Sequence, residues 1–345
     1  MTANLLALVA SALALGSIAG LFGGTPGRLG LGLDFVNHLA PLLLALAVVA
    51  AIAGGALLKD RAPRRLVIGC SLVCIVAELG LIIPEAASAF GPRPSGPASL
   101  RVMTYNLWEL NADPQESARA ILSSGADVVT MPEARGRSEV VLSLIARSYP
   151  YRANCLSNRW CSLAIASKRP FLLSRFHQGS WLGAHPDRLA LVWGITSDRS
   201  GRLFTVAVTH LAHPGPDGIQ LGQIDRLAKL LQKCRFPGLV LAGDFNLTPW
   251  SYALKRQDRS FAPLVRRTRF IPSWPDRWPG LALRAPFPFL PIDHVYTATE
   301  WRAVSVRRGA RGGSDHYPVI IDLAREEAGA TTLPVDHRGC SDGPT

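Results

Sequence analysis

The chain is 345 residues long and carries 37 Lys and Arg against 25 Asp and Glu, a net charge of +12. With 48% hydrophobic residues, 18% charged residues and a mean hydropathy of +0.18, it is not a disordered, collagen-like or coiled-coil chain, and a membrane protein stays open. The charges are unevenly spread: residues 1–100 hold ten, and residues 101–345 hold 52, of which 31 are basic and 21 acidic.

Residues 4–23 have no charge, residues 36–58 have only His38 as a polar titratable group, and residues 66–90 are interrupted by Glu78. A membrane span needs about 20 apolar residues, so each stretch qualifies as a transmembrane helix. The first lacks a basic leader and is followed by two more, which favours a span over a signal peptide. Lys59, Arg61, Arg64 and Arg65 follow the second span, whereas Arg28 is the one basic residue after the first. Positive charge stays cytoplasmic, so everything after the third span is expected outside the cell (inner or plasma) membrane. Glu78 is expected near the outer end of its helix, in contact with headgroup water.

Residues 91–98 read Gly-Pro-Arg-Pro-Ser-Gly-Pro-Ala, a composition that holds neither helix nor strand. The division expected is a membrane anchor over 1–90, a linker over 91–99, a catalytic domain over 100–325 and a disordered tail over 326–345. Within the third part, strands are expected at 100–106, 127–131, 162–167, 171–177, 189–196, 202–210, 238–242, 292–297 and 317–323. Helices are expected at 114–124, 137–147 and 217–234, the first with Asp113 as cap and Pro114 at its first position. Many strands with helices between some of them suit an α/β fold: a four-layer α/β sandwich of two packed mixed sheets flanked by helices, preceded by three transmembrane helices.

Of six cysteines, Cys70 and Cys74 fall in the third span and read as packing residues. Cys155 and Cys161 bracket a short polar loop, where a disulfide and two free thiols are both open. Cys234 and Cys340 read as unpaired. No CxxC pair exists, which argues against a thiolate zinc site.

The polar residues that stand out sit at strand ends: Asn106, Glu133, His210, Asp244 with Asn246, Asp293, and Asp315 with His316. Rigid sheets build sites this way. The carboxylates and the Asn106 amide are hard oxygen ligands suited to Mg²⁺ or Mn²⁺. His210 and His316 can donate to a phosphate or protonate a leaving group. With no Gly-x-Ser-x-Gly and no phosphate-binding Walker loop, the nucleophile implied is water, and the reaction is phosphoester hydrolysis. Singly, each residue has a structural explanation, such as a helix-start Glu133 or an Asx turn at Asn246. His213, His185 and His294 read as loop or structural residues.

The same residues carry a resemblance. Thr104-Tyr105-Asn106-Leu107-Trp108, Pro132-Glu133, Thr209-His210-Leu211, Gly243-Asp244-Phe245-Asn246, Ile292-Asp293-His294-Val295 and Ser314-Asp315-His316-Tyr317-Pro318-Val319 resemble the motifs of the endonuclease/exonuclease/phosphatase (DNase I-like) superfamily, in the family's order. That superfamily includes DNase I, apurinic endonucleases, neutral sphingomyelinases and inositol-phosphate phosphatases. The resemblance implies Glu133 as the main Mg²⁺ ligand, supported by Asn106, with Asp315 as a second metal contact. It implies that Asp244 orients or deprotonates the attacking water, with Asn246 beside it on the phosphate. His210 would stabilise the transition state, His316 would do the same or act as acid/base, and Asp293 would orient one of the histidines. Pro132 stands where the family often has Gln, and Asn158–Ser167 lacks the extra Glu or Tyr of several nuclease members.

Two surfaces bear on the substrate. Arg256, Arg259, Arg266, Arg267 and Arg269 cluster, and residues 273–290 form an aromatic, Pro-rich loop ahead of Asp293. Either surface suits anionic lipid headgroups or nucleic acid. A short tether holds the catalytic domain close to the bilayer, which favours a membrane substrate through local concentration. The expected partners are therefore the lipid bilayer and a phosphorylated substrate, with no obligate protein partner. The arrangement is also similar to the membrane-bound bacterial members of the superfamily associated with glycopeptide resistance, which implies cell-envelope lipid intermediates. The expected activity is metal-dependent phosphoester or anhydride hydrolysis on a lipid or lipid-linked (pyro)phosphate at the outer face. The alternative is an anchored extracellular endo- or exonuclease.

Overall fold

The computed structural model describes residues 2–91, 96–177, 189–234, 236–278, 283–326, 340 and 343–344. The chain forms two compact units. One comprises Met1–Gly91 with two later segments, Pro214–Gly218 and Leu247–Arg256; the other comprises Pro92–His213, Ile219–Asn246 and Gln257–Thr345. Sequence reading had placed both later segments in the catalytic domain.

The first unit is built on α1 (Thr2–Leu21), α2 (Arg28–Asn37), α3 (Ala40–Leu57) and α4 (Arg61–Ala89). Among the described residues three helices, Ala3–Gly24, Ala40–Leu57 and Arg61–Ala89, are long and apolar enough to cross a membrane, so His38, expected within the second span, lies ahead of it. Leu, Ala, Val and Ile dominate them, and these residues satisfy the backbone internally while exposing hydrocarbon. Glu78 corrects an expectation: it is 1% exposed, turned toward Ser17 of α1 and not toward solvent. Gly30 and Gly32 weaken the helix propensity of α2, which no expected element covers. Gly30 is required by close approach, since a Cβ there would lie 1.8 Å from the Thr25 carbonyl oxygen.

Buried polar groups organise the rest of this unit. Asp34 Oδ1 and Oδ2 accept from the backbone amides of Tyr252 and Ala253, each at 2.9 Å. Asn37 Nδ2 donates to Asp34 Oδ1 at 2.8 Å and to the Gly20 carbonyl at 3.0 Å. His38 Nδ1 lies 3.0 Å from Thr248 Oγ1, and Tyr252 Oη donates to the Leu21 carbonyl at 3.0 Å. Burial holds His38 well below its usual range, at about 4, against the opposing pull of Asp34.

The second unit carries β1 (Leu100–Thr104), α5 (Pro114–Ser124), β2 (Val128–Met131), α6 (Glu139–Leu144), β3 (Tyr151–Asn154), β4 (Ala164–Ser167), β5 (Leu173–His177), β6 (Leu191–Ser197) and β7 (Leu203–His210). It continues through α7 (Ile219–Lys233), β8 (Val240–Asp244), β9 (Val265–Arg266), β10 (Asp293–Thr297), β11 (Trp301–Arg308), β12 (Val319–Arg325) and β13 (Gly343–Pro344), with α8 (Tyr252–Ser260) between β8 and β9. One sheet has the order β11-β12-β1-β2-β4-β3 and the other β13-β5-β6-β7-β8-β10-β9, both mixed. The expected fold class is therefore observed.

Alternation along the strands explains the layers. Val102 and Val128 face the shared core with Val206, Val208, Val240 and Val295 of the other sheet. Their neighbours Met103 and Val129 point the opposite way, into a second cluster with Ala118 and Ile121 of α5 and Val141 and Leu142 of α6. Asp113 caps α5 as expected, accepting from Glu116 N at 2.9 Å.

Cys155 and Cys161 form a disulfide. Cys234 and Cys340, expected to be unpaired, form a second one. No sequence signal links two cysteines 106 positions apart; only the fold brings them together. Gly343 and Pro344 pair with Phe176 and Arg175 of β5, so the expectation of a disordered tail is not met at these residues. Within the expected linker, residues 92–95 lie outside the described residues. So do 327–339, 341–342 and 345 of the expected tail, and His185-Pro186.

Candidate active site

Strand pairing assembles the centre of the site. In the parallel β7–β8 pair His210 stands opposite Asp244, and in the antiparallel β8–β10 pair Asp244 stands opposite Asp293. Neighbouring strands lie about 4.8 Å apart, so backbone register alone gathers three functional side chains in one row. Gly243 makes the close passage possible: a Cβ there would sit 2.0 Å from the Thr209 carbonyl oxygen.

The other sheet supplies the facing groups. Backbone bonds from Tyr105 N to Thr130 O and from Leu107 N to Pro132 O, both 2.9 Å, extend the β1–β2 pairing and set Asn106 beside Glu133. Ser314 Oγ donates to the Asn106 carbonyl at 2.7 Å and accepts from His316 N at 3.0 Å, which fixes the turn carrying Asp315 and His316. Glu133 (φ 54°) and Asn246 (φ 51°) are left-handed. Asn adopts that conformation readily, whereas for Glu it costs on the order of 1 kcal/mol. Strained backbone of this kind concentrates at functional sites.

All eight residues singled out from the sequence fall in this one region. Asn106 Nδ2 donates to Glu133 Oε1 at 2.9 Å and to Asp244 Oδ2 at 3.0 Å, while its Oδ1 accepts from Trp108 N at 2.9 Å. It thus bridges two carboxylates as a donor, where the resemblance implied an oxygen supporting the metal. Glu109 N donates to Glu133 Oε2 at 3.2 Å, and Asn246 N to Asp244 Oδ1 at 2.8 Å. His210 Nε2 lies 3.5 Å from Asp244 Oδ2, 3.9 Å from Glu133 Oε1 and 3.3 Å from Asn246 Nδ2. His316 Nδ1 bonds Asp293 Oδ2 at 2.8 Å, and its Nε2 lies 3.6 Å from Asp244 Oδ2. Asp315 Oδ2 accepts from Trp274 Nε1 at 3.2 Å. Glu133 and Asp315 are half-buried and the other six are buried.

These surroundings separate the two histidines. Burial, together with the neighbouring His213 and His316, holds His210 far below its usual range and therefore neutral. Burial also acts to lower His316, but Asp293, Asp315 and Asp244 outweigh it and raise it to about 10, so this ring is cationic. Burial and the adjacent Asp293 push the Asp244 carboxyl up to about 8. Burial pushes Glu133 up too, opposed by the hydrogen bond from Asn106 and helped by the charge of Asp315.

Carboxylates pushed upward by mutual repulsion are the environment a divalent cation relieves. Asp244, Asp293 and His316 bring one ligand atom each within 4.8 Å of one another. Asp293 and the cationic His316 are already bonded together, which leaves Asp244 and the nearby Glu133 as the oxygens better placed to hold an ion. The donor set is hard oxygen and fits a divalent cation of that preference.

Three participants escaped the sequence reading. His213, dismissed as a loop residue, hydrogen-bonds the Asn246 side chain. Trp274 reaches Asp315, and Ser314 stitches two site loops. The third residue after His210 and the serine before Asp315 were the available signals. Conversely, the basic cluster is partly structural. Buried Arg266 bonds Asp258 at 3.1 Å, and Arg267 Nε donates to Thr297 Oγ1 at 2.9 Å.

A two-sheet α/β sandwich with acids and histidines at the strand ends is an arrangement suited to hydrolysing phosphate esters. The sequence model of the Endonuclease/Exonuclease/phosphatase family matches residues 103–316, more than half of the chain. The chain belongs to this family. Among solved structures it is similar to an endonuclease/exonuclease/phosphatase from Beutenbergia cavernae (21% identity, TM-score 0.50, covering 66% of this chain and 72% of that one). It is similar to D. rerio TDP2 complexed with single strand DNA product (16% identity, TM-score 0.51, covering 65% and 98%). It also resembles sphingomyelinase C from Streptomyces griseocarneus (18% identity, TM-score 0.46, covering 66% and 99%). At these identities the likeness concerns the fold. No curated protein matches the sequence.

Proposed function

We propose that the chain is a membrane-anchored, metal-dependent phosphoesterase that uses water to hydrolyse a lipid phosphate or a lipid-linked (pyro)phosphate at the outer face of the membrane. The observation that carries this reading is the row His210–Asp244–Asp293, faced by Glu133 and His316, in a chain whose first 89 residues supply three membrane-length helices. Glu133 and Asp244, with Asp315 nearby, would hold a Mg²⁺ or Mn²⁺, which would supply electrophilic stabilisation of the phosphoryl group. Asp244 orients the attacking water and takes its proton. Asn246 and neutral His210 hydrogen-bond the phosphoryl oxygens. His316, held cationic by Asp293, stabilises the charge that builds up in the transition state and serves as the proton donor to the leaving oxygen.

Several observations support the location. Asp34 and His38, between the first two spans, are hydrogen-bonded to residues 248–253. This supports placing both segments on one side, with the second and third spans as the even number of crossings between them. Lys59, Arg61, Arg64 and Arg65 fall on the opposite side, which the positive-inside rule makes cytoplasmic. Two disulfides suit an oxidising exterior. In the stretch of chain that precedes Asp293, Trp278, Leu283 and Phe287 are exposed and lie close in sequence to Arg277 and Arg284, a pattern suited to a headgroup interface.

The test is a side-by-side assay of the purified full chain with Mg²⁺ on lipid phosphates, lipid pyrophosphates, nucleotides and DNA. Release of phosphate or headgroup from a lipid is expected; cleavage of DNA alone would overturn the lipid reading. A nuclease remains the second reading because residues 101–345 carry 31 basic against 21 acidic residues. The internal engagement of Arg266 and Arg267 weakens it. Nuclease activity would fall steeply with salt as phosphate contacts are lost.

A further inference from the structure

We infer that the segment between the first two spans is a positioning element for the active site, acting through Asp34 and His38, and not only a connector between helices. This role presupposes the phosphoesterase activity proposed above. The first four amides of a helix have no partner within it. At α8, Ser251 Oγ accepts from Leu254 N at 3.2 Å, and Lys255 N reaches the Ser251 carbonyl at 3.3 Å. The two remaining amides, those of Tyr252 and Ala253, are taken by the two carboxylate oxygens of Asp34. The residue that completes this helix start thus lies 218 positions earlier in the chain.

Asp34 is itself fixed. Asn37 holds Oδ1 and ties the pair to the end of α1 through the Gly20 carbonyl. His38 grips Thr248, which is fully buried, and the Tyr252 hydroxyl closes onto the Leu21 carbonyl. Five polar contacts therefore clamp residues 248–253.

That clamped segment begins two residues after Asn246 and four after Asp244. Asn246 is left-handed, and its amide reaches both His210 and the Leu211 carbonyl. Its backbone N–H also orients Asp244. Asn246 lies in the loop between β8 and the clamped residues 248–253, so the order of that second end bears directly on its backbone. Released at the second end, Asn246 would sample positions that no longer meet a phosphoryl group, and misplacement by about 1 Å costs on the order of a hundredfold in rate. Asp34 and His38 are positioning residues: they touch neither substrate nor reacting atoms.

The test uses the full chain in detergent micelles and a soluble substrate, bis(p-nitrophenyl) phosphate with Mg²⁺, so that membrane recruitment plays no part. Asp34→Ala is expected to lower kcat by between about tenfold and a hundredfold with KM within about twofold. Asp34→Asn, which keeps one acceptor oxygen, should fall in between. Hydrogen exchange should quicken at the amides of residues 246–254 and stay unchanged in β6 and β7. In an Asn246→Ala background the Asp34→Ala loss should largely vanish, because the group through which Asp34 acts is gone. A purely structural role would give the same fold-loss in both backgrounds, and that result overturns the inference, as does wild-type kcat in Asp34→Ala. If Asp34→Ala does not fold, Thr248→Val removes only the hydroxyl facing His38, and a several-fold kcat loss with the same non-additivity is expected. A wild-type chain that cleaves no phosphoester at all would instead refute the functional reading on which this one rests.

Discussion

Two buried polar clusters in this molecule obey opposite rules. Around Asp34 each carboxylate oxygen meets its donors, from Tyr252 N, Ala253 N and Asn37. Around Asp244 four acids and two histidines crowd together, the Asp293 Oδ1 atom is buried without a partner, and Asp244 is driven up to about 8. Asp34 meets amide donors with no second acid against it, whereas the like charges crowded around Asp244 store electrostatic energy that a cation would relieve. The difference is what the proposed division of labour between the two clusters rests on.

The sharpest break in that contrast comes from removing the reactive groups. Asp244→Ala and His316→Ala should each lower turnover by at least about 10⁴-fold; thermal unfolding should stay near wild type in Asp244→Ala, which relieves like-charge crowding, and fall in His316→Ala, which leaves buried Asp293 without its cationic partner. A mutant with substantial turnover would remove its residue from the reaction. Chelation by EDTA should abolish activity to a similar degree, with recovery on adding Mg²⁺ or Mn²⁺, and unchanged rates in EDTA would exclude the proposed ion.

Asp293→Asn should cost about 10³-fold, since His316 keeps its place but loses the charge that keeps it cationic. The pH profile should move as well, because the His316 ring would titrate at lower pH. An unaltered profile would show that Asp293 serves only to fill space.

The smallest effect belongs to the quiet cluster. His38 titrates at about 4 in the fold against 6.5 when exposed. Its folded form therefore binds a proton less readily than its unfolded form. The stability it contributes is complete above pH 6.5 and declines as pH falls toward 4, by up to about 3 kcal/mol. Thermal unfolding from pH 7 to 4.5 should show this decline in the wild type and a flatter curve in His38→Gln. Parallel curves would mean that another group governs the acid limb.

Much of this was legible before any coordinates. The three membrane-length helices follow from long apolar runs, and the row of acids and histidines follows from polar residues that end apolar strands. The capping of α5 by Asp113 follows from local chemistry. What escaped depends on contacts between distant parts of the chain. The disulfide between Cys234 and Cys340, the role of Asp34 at a helix start and the reach of Trp274 to Asp315 have no local signature. Helix α2 was hidden by its glycines, and β11 by polar residues and a bulge between Ala303 and Ser305. Glu78 shows the same limit: a carboxylate in an apolar run does not reveal whether it faces a neighbouring helix or water.

His210, Asp244 and Asp293 are spaced by main-chain pairing and not by their own side chains. Exchanging one of them leaves the walls of the site where they were. Asp244→Asn is close to isosteric and keeps the contact to Asn106 available in an altered form. Such a chain offers a bait: an enzyme that takes up its substrate and does not turn it over. Purified from native membranes and extracted with solvent, it would carry its natural ligand into a mass spectrometer, so the molecule could name its own substrate.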